Sequence, residues 1–103
     1  MHTGLPVISA AGIFDSRKYF QGSVTRQRRV VDYELELFLE DGGISHVGDS
    51  SYPIHKGCML IAKPGDKRCS TLHFCALYVH FGVADPALQQ LLHTMAGFYS
   101  PSQ

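Results

Sequence analysis

Residues 33–40 read YELELFLE, with Leu35, Leu37 and Leu39 alternating strictly with Glu34, Glu36, Phe38 and Glu40. A period of two suits a β-strand, whose successive side chains point to opposite faces. Glycine and proline punctuate the following chain at short intervals, at Gly42-Gly43, Gly48-Asp49, Lys56-Gly57 and Pro64-Gly65-Asp66, leaving strand-length segments between them. Such spacing predicts an all-β sandwich or barrel.

Asp41, Gly42 and Gly43 offer the positive φ of a hairpin that returns the chain through residues 44–47. Residues 51–55 contain Pro53 and fit an edge strand. Residues 58–62, CMLIA, are apolar on both faces, as in a central strand covered on each side. The longest strand expected is 72–81, LHFCALYVHF. Leu72, Phe74, Ala76, Tyr78 and His80 share one face there, and His73, Cys75, Leu77, Val79 and Phe81 the other, both mostly buried. Beyond Gly82 the period changes. Asp85 can cap a helix, Pro86 suits its first position, and Leu88, Leu91, Leu92 and Met95 follow helical spacing up to Gly97. The closing FYSPSQ reads as a turn without a closing element, as though the chain were cut there.

The 103 residues suffice for one domain, and 45% hydrophobic content suffices for a core. Nine Lys and Arg balance nine Asp and Glu, so the charge footprint of a nucleic-acid binder is absent. Cys58, Cys69 and Cys75 form no C-x-x-C pair and suggest neither a disulfide framework nor a thiolate zinc site. A reducing cytoplasm is the expected location. The N-terminus lacks a basic region ahead of its apolar stretch, and no run approaches the roughly 20 apolar residues that cross a bilayer.

Catalytic chemistry finds little purchase. Neither a G-x-S-x-G elbow nor a phosphate-cradling glycine loop is present. His46, His55, His73 and His80 invite a metal reading, but His73 and His80 are seven apart and would face opposite sides of one strand. Cys58 and Cys75 read as core, and Cys69, close to Lys67 and Arg68, is the one thiol with neighbours that lower a pKa. Arg26, Arg28 and Arg29 can fork onto a carboxylate, phosphate or sugar hydroxyls, or can form a solvated strand face with one arginine turned inward. The Leu88 to Met95 stripe can pack on its own sheet or pair with a second subunit.

Three segments, RRVVDYELELFLEDGG, SSYPIHKGCMLIAKPGDKR and LHFCALYVHF, follow one another in an order and spacing that resemble the sensor domain of AraC-type bacterial transcription regulators, a branch of the cupin superfamily. The resemblance spans residues 26–81, about half the chain. Metal cupins carry G-x5-P-x-G-x-x-H in their second motif. Here Gly57 and Gly65 match, while Lys63 stands at the proline position and Arg68 at the histidine position. The two histidine positions of the first motif fall near Gln27 and Arg29. The ligand set of a metal cupin is therefore missing, and no metal or other cofactor is expected.

The resemblance implies a cupin-like jelly-roll β-barrel over 1–84 and the start of a helical dimerisation and linker region over 85–103. The DNA-binding part would follow outside this chain. It also implies a small polar effector, such as a sugar, bound in the barrel mouth without catalysis. Arg26 resembles the arginine that reaches the sugar in sugar-sensing members, and Tyr78 matches an aromatic position that stacks on the ligand. Ser70 and Ala76 fall at further lining positions, and Arg29, Glu34, Arg68 and His80 complete the expected ligand set. Leu88, Leu91, Leu92 and Met95 are the expected homodimer contacts, and no membrane partner is expected. Two alternatives are a small metal-dependent cupin enzyme and a ligand-free dimerisation module. The orientation of residues 33–40 stays divided. Alternation puts the leucines in the core and the glutamates outside, whereas the resemblance turns Glu34 toward the mouth and leaves Glu36 or Glu40 solvated or paired with arginine.

Overall fold

The computed structural model describes residues 5–101. Among these residues the elements follow in the order β1 (Val7–Asp15), a 3-10 turn (Ser16–Lys18), β2 (Arg28–Arg29), β3 (Tyr33–Phe38), β4 (Ile44–Val47), β5 (Ser50–Pro53), β6 (Met59–Ala62), β7 (Lys67–Thr71), β8 (Cys75–Gly82), α1 (Pro86–Thr94) and β9 (Phe98–Tyr99). The strands pair antiparallel in two sheets, β1-β8-β3-β6-β9 and β2-β7-β4-β5. The protein is thus mostly β with one helix.

Strand β3 lies where its period of two puts it, in the opposite phase from the one alternation suggests. Glu34, Glu36 and Phe38 are buried at 4%, 7% and 2% exposure, whereas Leu37 and Leu39 are 38% and 36% exposed. The reason is chemical: arginines from the facing sheet neutralise the carboxylates inside, so the burial penalty that would drive them outward is offset. Glu40, past the strand, is exposed and paired with Arg17 at 2.8 Å.

The Asp41-Gly42-Gly43 turn forms, with φ of 132° at Gly42 and 81° at Gly43. It does not make a hairpin, because β3 belongs to one sheet and β4 to the other. The turn is a corner between layers, and the hairpin follows it: β4 and β5 pair from Ile44↔Pro53 to Val47↔Ser50 around Gly48-Asp49. Strand β5, with Pro53, is an edge as expected. Strand β6 lies between β3 and β9 with Leu60, Ile61 and Ala62 buried, matching a central strand.

The expected strand 72–81 is shorter at its start. It begins at Cys75, because residues 72–74 carry the chain from β7 in one sheet to β8 in the other. Its outer face is only partly covered, with Leu77 42% exposed. Three strands escape the sequence reading: β1, whose alternation a bulge between Ile8 and Ala10 breaks, the polar β7, and the short β9. The helix starts as expected. The Asp85 carboxylate accepts the Leu88 N–H at 2.9 Å, and Pro86 occupies the first turn. It ends at Thr94, before Gly97, and none of its residues is buried. FYSPSQ is more than a turn, since β9 adds to the first sheet through Met59↔Tyr99 and Leu60↔Phe98, and Phe98 stacks on Tyr52 with centroids 4.6 Å apart.

Val30, Phe38, Ile54, Cys58, Leu60, Ala62, Phe74 and Ala76 form the buried apolar core. No helix among the described residues is long and apolar enough to cross a membrane.

Candidate ligand-binding site

The register brings polar side chains together between the sheets. Glu34 lies opposite His80, and Glu36 opposite Tyr78, across β3 and β8. Arg68 projects between them from β7 in the facing sheet. It is 4% exposed, and its Nη1 donates to Glu34 Oε1 at 3.0 Å while Nη2 donates to Glu36 Oε1 at 2.6 Å. Nη2 also lies 3.5 Å from Ser45 Oγ. Arg28, at the edge in β2, grips Glu34 with both nitrogens at 2.8 and 2.7 Å, the bidentate geometry that makes arginine–carboxylate pairs strong. His80 Nε2 lies 3.8 Å from the same carboxylate.

Two opposing effects act on Glu34. Burial alone raises a carboxyl pKa, but hydrogen bonds from Arg28 and the charges of Arg28, Arg68 and His80 outweigh it and hold the group below its ordinary 4.5. The same pair raises the Arg28 pKa. A carboxylate with a depressed folded-state pKa contributes its stability in full above the ordinary value and loses it as pH falls through the folded value. Denaturant titrations below pH 4.5 should therefore show the parent losing stability steadily. Glu34→Gln should show a flatter profile over the same range, and an equal slope in both proteins would refute the assignment.

Beside this cluster lies a cavity of about 530 Å³. Phe14, Phe20, Phe74 and Tyr78 supply aromatic wall, and Arg26, Arg28, Arg68, Glu36, Ser70 and His80 supply polar groups. Strand β1 closes one side through Ala10 and Phe14. Gly12 sits opposite Tyr78, where a Cβ would come within 3.2 Å of the tyrosine hydroxyl, so the absent side chain makes room for that ring.

Of the residues singled out in sequence, Arg26, Arg68, Ser70, Tyr78 and His80 line the cavity. Glu34 holds Arg28 and Arg68 without lining it. Ala76 is fully buried in the packed core, and Arg29 donates to the Gly65 carbonyl at 2.8 Å, so neither joins the site. Ala76 pairs with Phe38 in the register of β3 and β8 and belongs to the apolar core. The sequence reading missed Arg28 as the principal partner of Glu34, Glu36 as a lining group, and Phe14 and Phe20. Arg28 and Glu34 are six residues apart and opposite in charge, a signal a charge-pair search could have found. Phe14 and Phe20 lie outside the segments that resemble the sensor family and carried no such signal.

The histidines are dispersed. His46 hydrogen-bonds Ser51 Oγ and Thr71 Oγ1, each at 2.8 Å, and His73 Nδ1 lies 3.0 Å from Ser16 Oγ. Among the described residues no group of three His, Cys, Asp or Glu side chains is placed to hold a metal ion. Cys58 and Cys75 are buried, and burial raises the Cys75 thiol pKa. Cys69 is half-buried on the cavity wall. On the helix, Leu91 is 58% exposed, and Leu88, Leu92 and Met95 are half-buried.

No protein-family model, curated protein or solved structure matches the chain.

Proposed function

We propose that this chain is the effector-sensing domain of an AraC-type transcription regulator, a cupin-like barrel that binds a small polar molecule, such as a sugar, and does not catalyse. The observation that carries the reading is the cavity between the sheets and its lining. Beside the apolar core, and sharing Phe74 with it, lies a cavity of about 530 Å³ that combines aromatic faces with hydrogen-bonding groups. Pockets of this size and mixture take small molecules. On this reading the protein works in the cytoplasm, and a helix-turn-helix part outside these residues contacts DNA. Effector binding then shifts the populations of two arrangements of the segment that follows the barrel.

The proposal is tested by thermal melting against a panel of sugars and related metabolites. A true effector at about 100 times its Kd stabilises by roughly 2.7 kcal/mol, and Tyr78→Ala should abolish that gain. If no compound raises the melting temperature, the reading fails.

A second reading, a ligand-free homodimerisation module, draws on exposed apolar surface. Ile13, Leu77 and Leu37 are register neighbours across β1, β8 and β3, at 67%, 42% and 38% exposure, and Leu91 on α1 is 58% exposed. The two readings are compatible, since a sensor of this kind also works as a pair. They separate on the panel, because a ligand-free module gives no shift.

A further inference from the structure

The charges around the cavity do not cancel. Three guanidinium groups line it, those of Arg26, Arg28 and Arg68. Two carboxylates answer them: Glu34 accepts from both Arg28 and Arg68, and Glu36 accepts from Arg68. Arg26 is left over. Among the described residues it has neither an ion pair nor a side-chain hydrogen bond. A guanidinium is charged at every accessible pH and offers five donors in a planar fork that matches a carboxylate. The cavity therefore carries one solvent-exposed positive charge that no carboxylate of the described residues pairs.

The wall also carries hydroxyls with nothing to bond. Ser70 is 5% exposed, yet its Oγ makes no hydrogen bond to a described residue. No sealed side-chain polar atom among the described residues lacks a partner, so the Ser70 hydroxyl must open into the cavity that it lines. The Tyr78 hydroxyl likewise has no hydrogen-bond partner among the described residues, although its ring packs near His80 with centroids 5.3 Å apart. Between these polar points stand the rings of Phe14, Phe20 and Phe74, which favour a flat or ring-shaped body over a flexible chain.

We infer that the effector is a small monoanion, a carboxylate carried on a ring, with the carboxylate held by Arg26, the ring against the aromatic wall, and ring substituents within reach of the Ser70 and Tyr78 hydroxyls. The inference rests on the effector-sensing reading and narrows it, because a carboxylate can form an ion pair with Arg26 and a neutral sugar cannot. Both a sugar acid and an aromatic acid meet the requirement.

Four probes distinguish them: glucuronate against glucose, and benzoate against benzyl alcohol, each titrated calorimetrically into the purified chain. At least one acid should bind roughly tenfold or more tightly than its neutral counterpart, the difference a charge-assisted bond supplies. The acid that does so identifies the ring. Arg26→Gln should erase the preference, and Arg26→Lys should restore part of it. Arg26 is exposed and bonds nothing in the fold, so the glutamine variant should melt with the parent. Neutral compounds binding as tightly as the acids, a preference that survives Arg26→Gln, or no binding by any of the four would each overturn the inference. The broader reading falls separately, only if the wider panel of metabolites also leaves the melting temperature unmoved.

Discussion

Replacing Arg68 by methionine should cost the protein about 3–5 kcal/mol, the usual price of leaving buried charges without their partner. Arg68 joins Glu34 and Glu36 from the opposite sheet at 3.0 and 2.6 Å, and all three side chains are at least nine-tenths buried. With the guanidinium gone, Glu36 keeps no ion-pair partner, and Glu34 keeps the half-exposed Arg28 and His80 at 3.8 Å. For a domain of this size the melting temperature should fall by roughly 12 °C or more. The loss should be recovered in large part by Glu36→Gln in the same chain, since neutralising the stranded carboxylate removes the penalty. Chemical denaturation of the two single variants and the double variant measures the coupling directly. A loss below about 1 kcal/mol, the range of surface ion pairs, would mean that the cluster is solvated and the interior assignment of β3 is wrong.

The second large effect is steric. Gly43 has φ of 81°, and a Cβ there would lie 2.6 Å from the Thr71 carbonyl oxygen and 2.9 Å from that of His73. These are backbone atoms of the passing chain, which cannot swing aside as the end of a side chain can. Gly43→Ala should therefore cost about 2–4 kcal/mol, the left-handed penalty and the clash together. Gly48 provides the control. Its φ is 58°, but a Cβ there would meet nothing within 4 Å, so Gly48→Ala should cost only about 1 kcal/mol. Equal unfolding midpoints for the two variants would contradict the close approach of the corner to β7 and the segment after it.

The same two places show what could be read in the sequence. The Asp41-Gly42-Gly43 turn was legible because positive φ is a local demand that glycine meets. Its role as a corner was not, since the choice between pairing β4 with β3 or passing it to the facing sheet depends on contacts with Thr71 and His73 far along the chain. The helix over Pro86–Thr94 was legible at its start for the same local reason, with Asp85 and Pro86 both acting within one turn. The period of β3 was legible and its phase was not: alternation alone favours leucine inside, and the arginine that reverses the preference lies 32 residues from Glu36. The resemblance to sensor domains turned Glu34 inward where hydropathy did not. It also pointed to Arg26, Ser70 and Tyr78, which line the cavity, and to Ala76, which lies in the apolar core. Phe14 reaches the site through the pairing of β1 with β8, a contact between distant segments of the chain that local patterning cannot show.

The central claim is that the cavity between the sheets takes up a small molecule, and chemical-shift mapping of the isotopically labelled protein tests it most directly. Titration with the compound that gives the largest thermal shift should move the amide signals of Thr25, Ser70 and Tyr78 in a saturable manner. The β4–β5 hairpin around Gly48 should stay still. Saturable shifts confined to that hairpin or to the exposed outer strand face, or no shift at any cavity residue, would contradict the account.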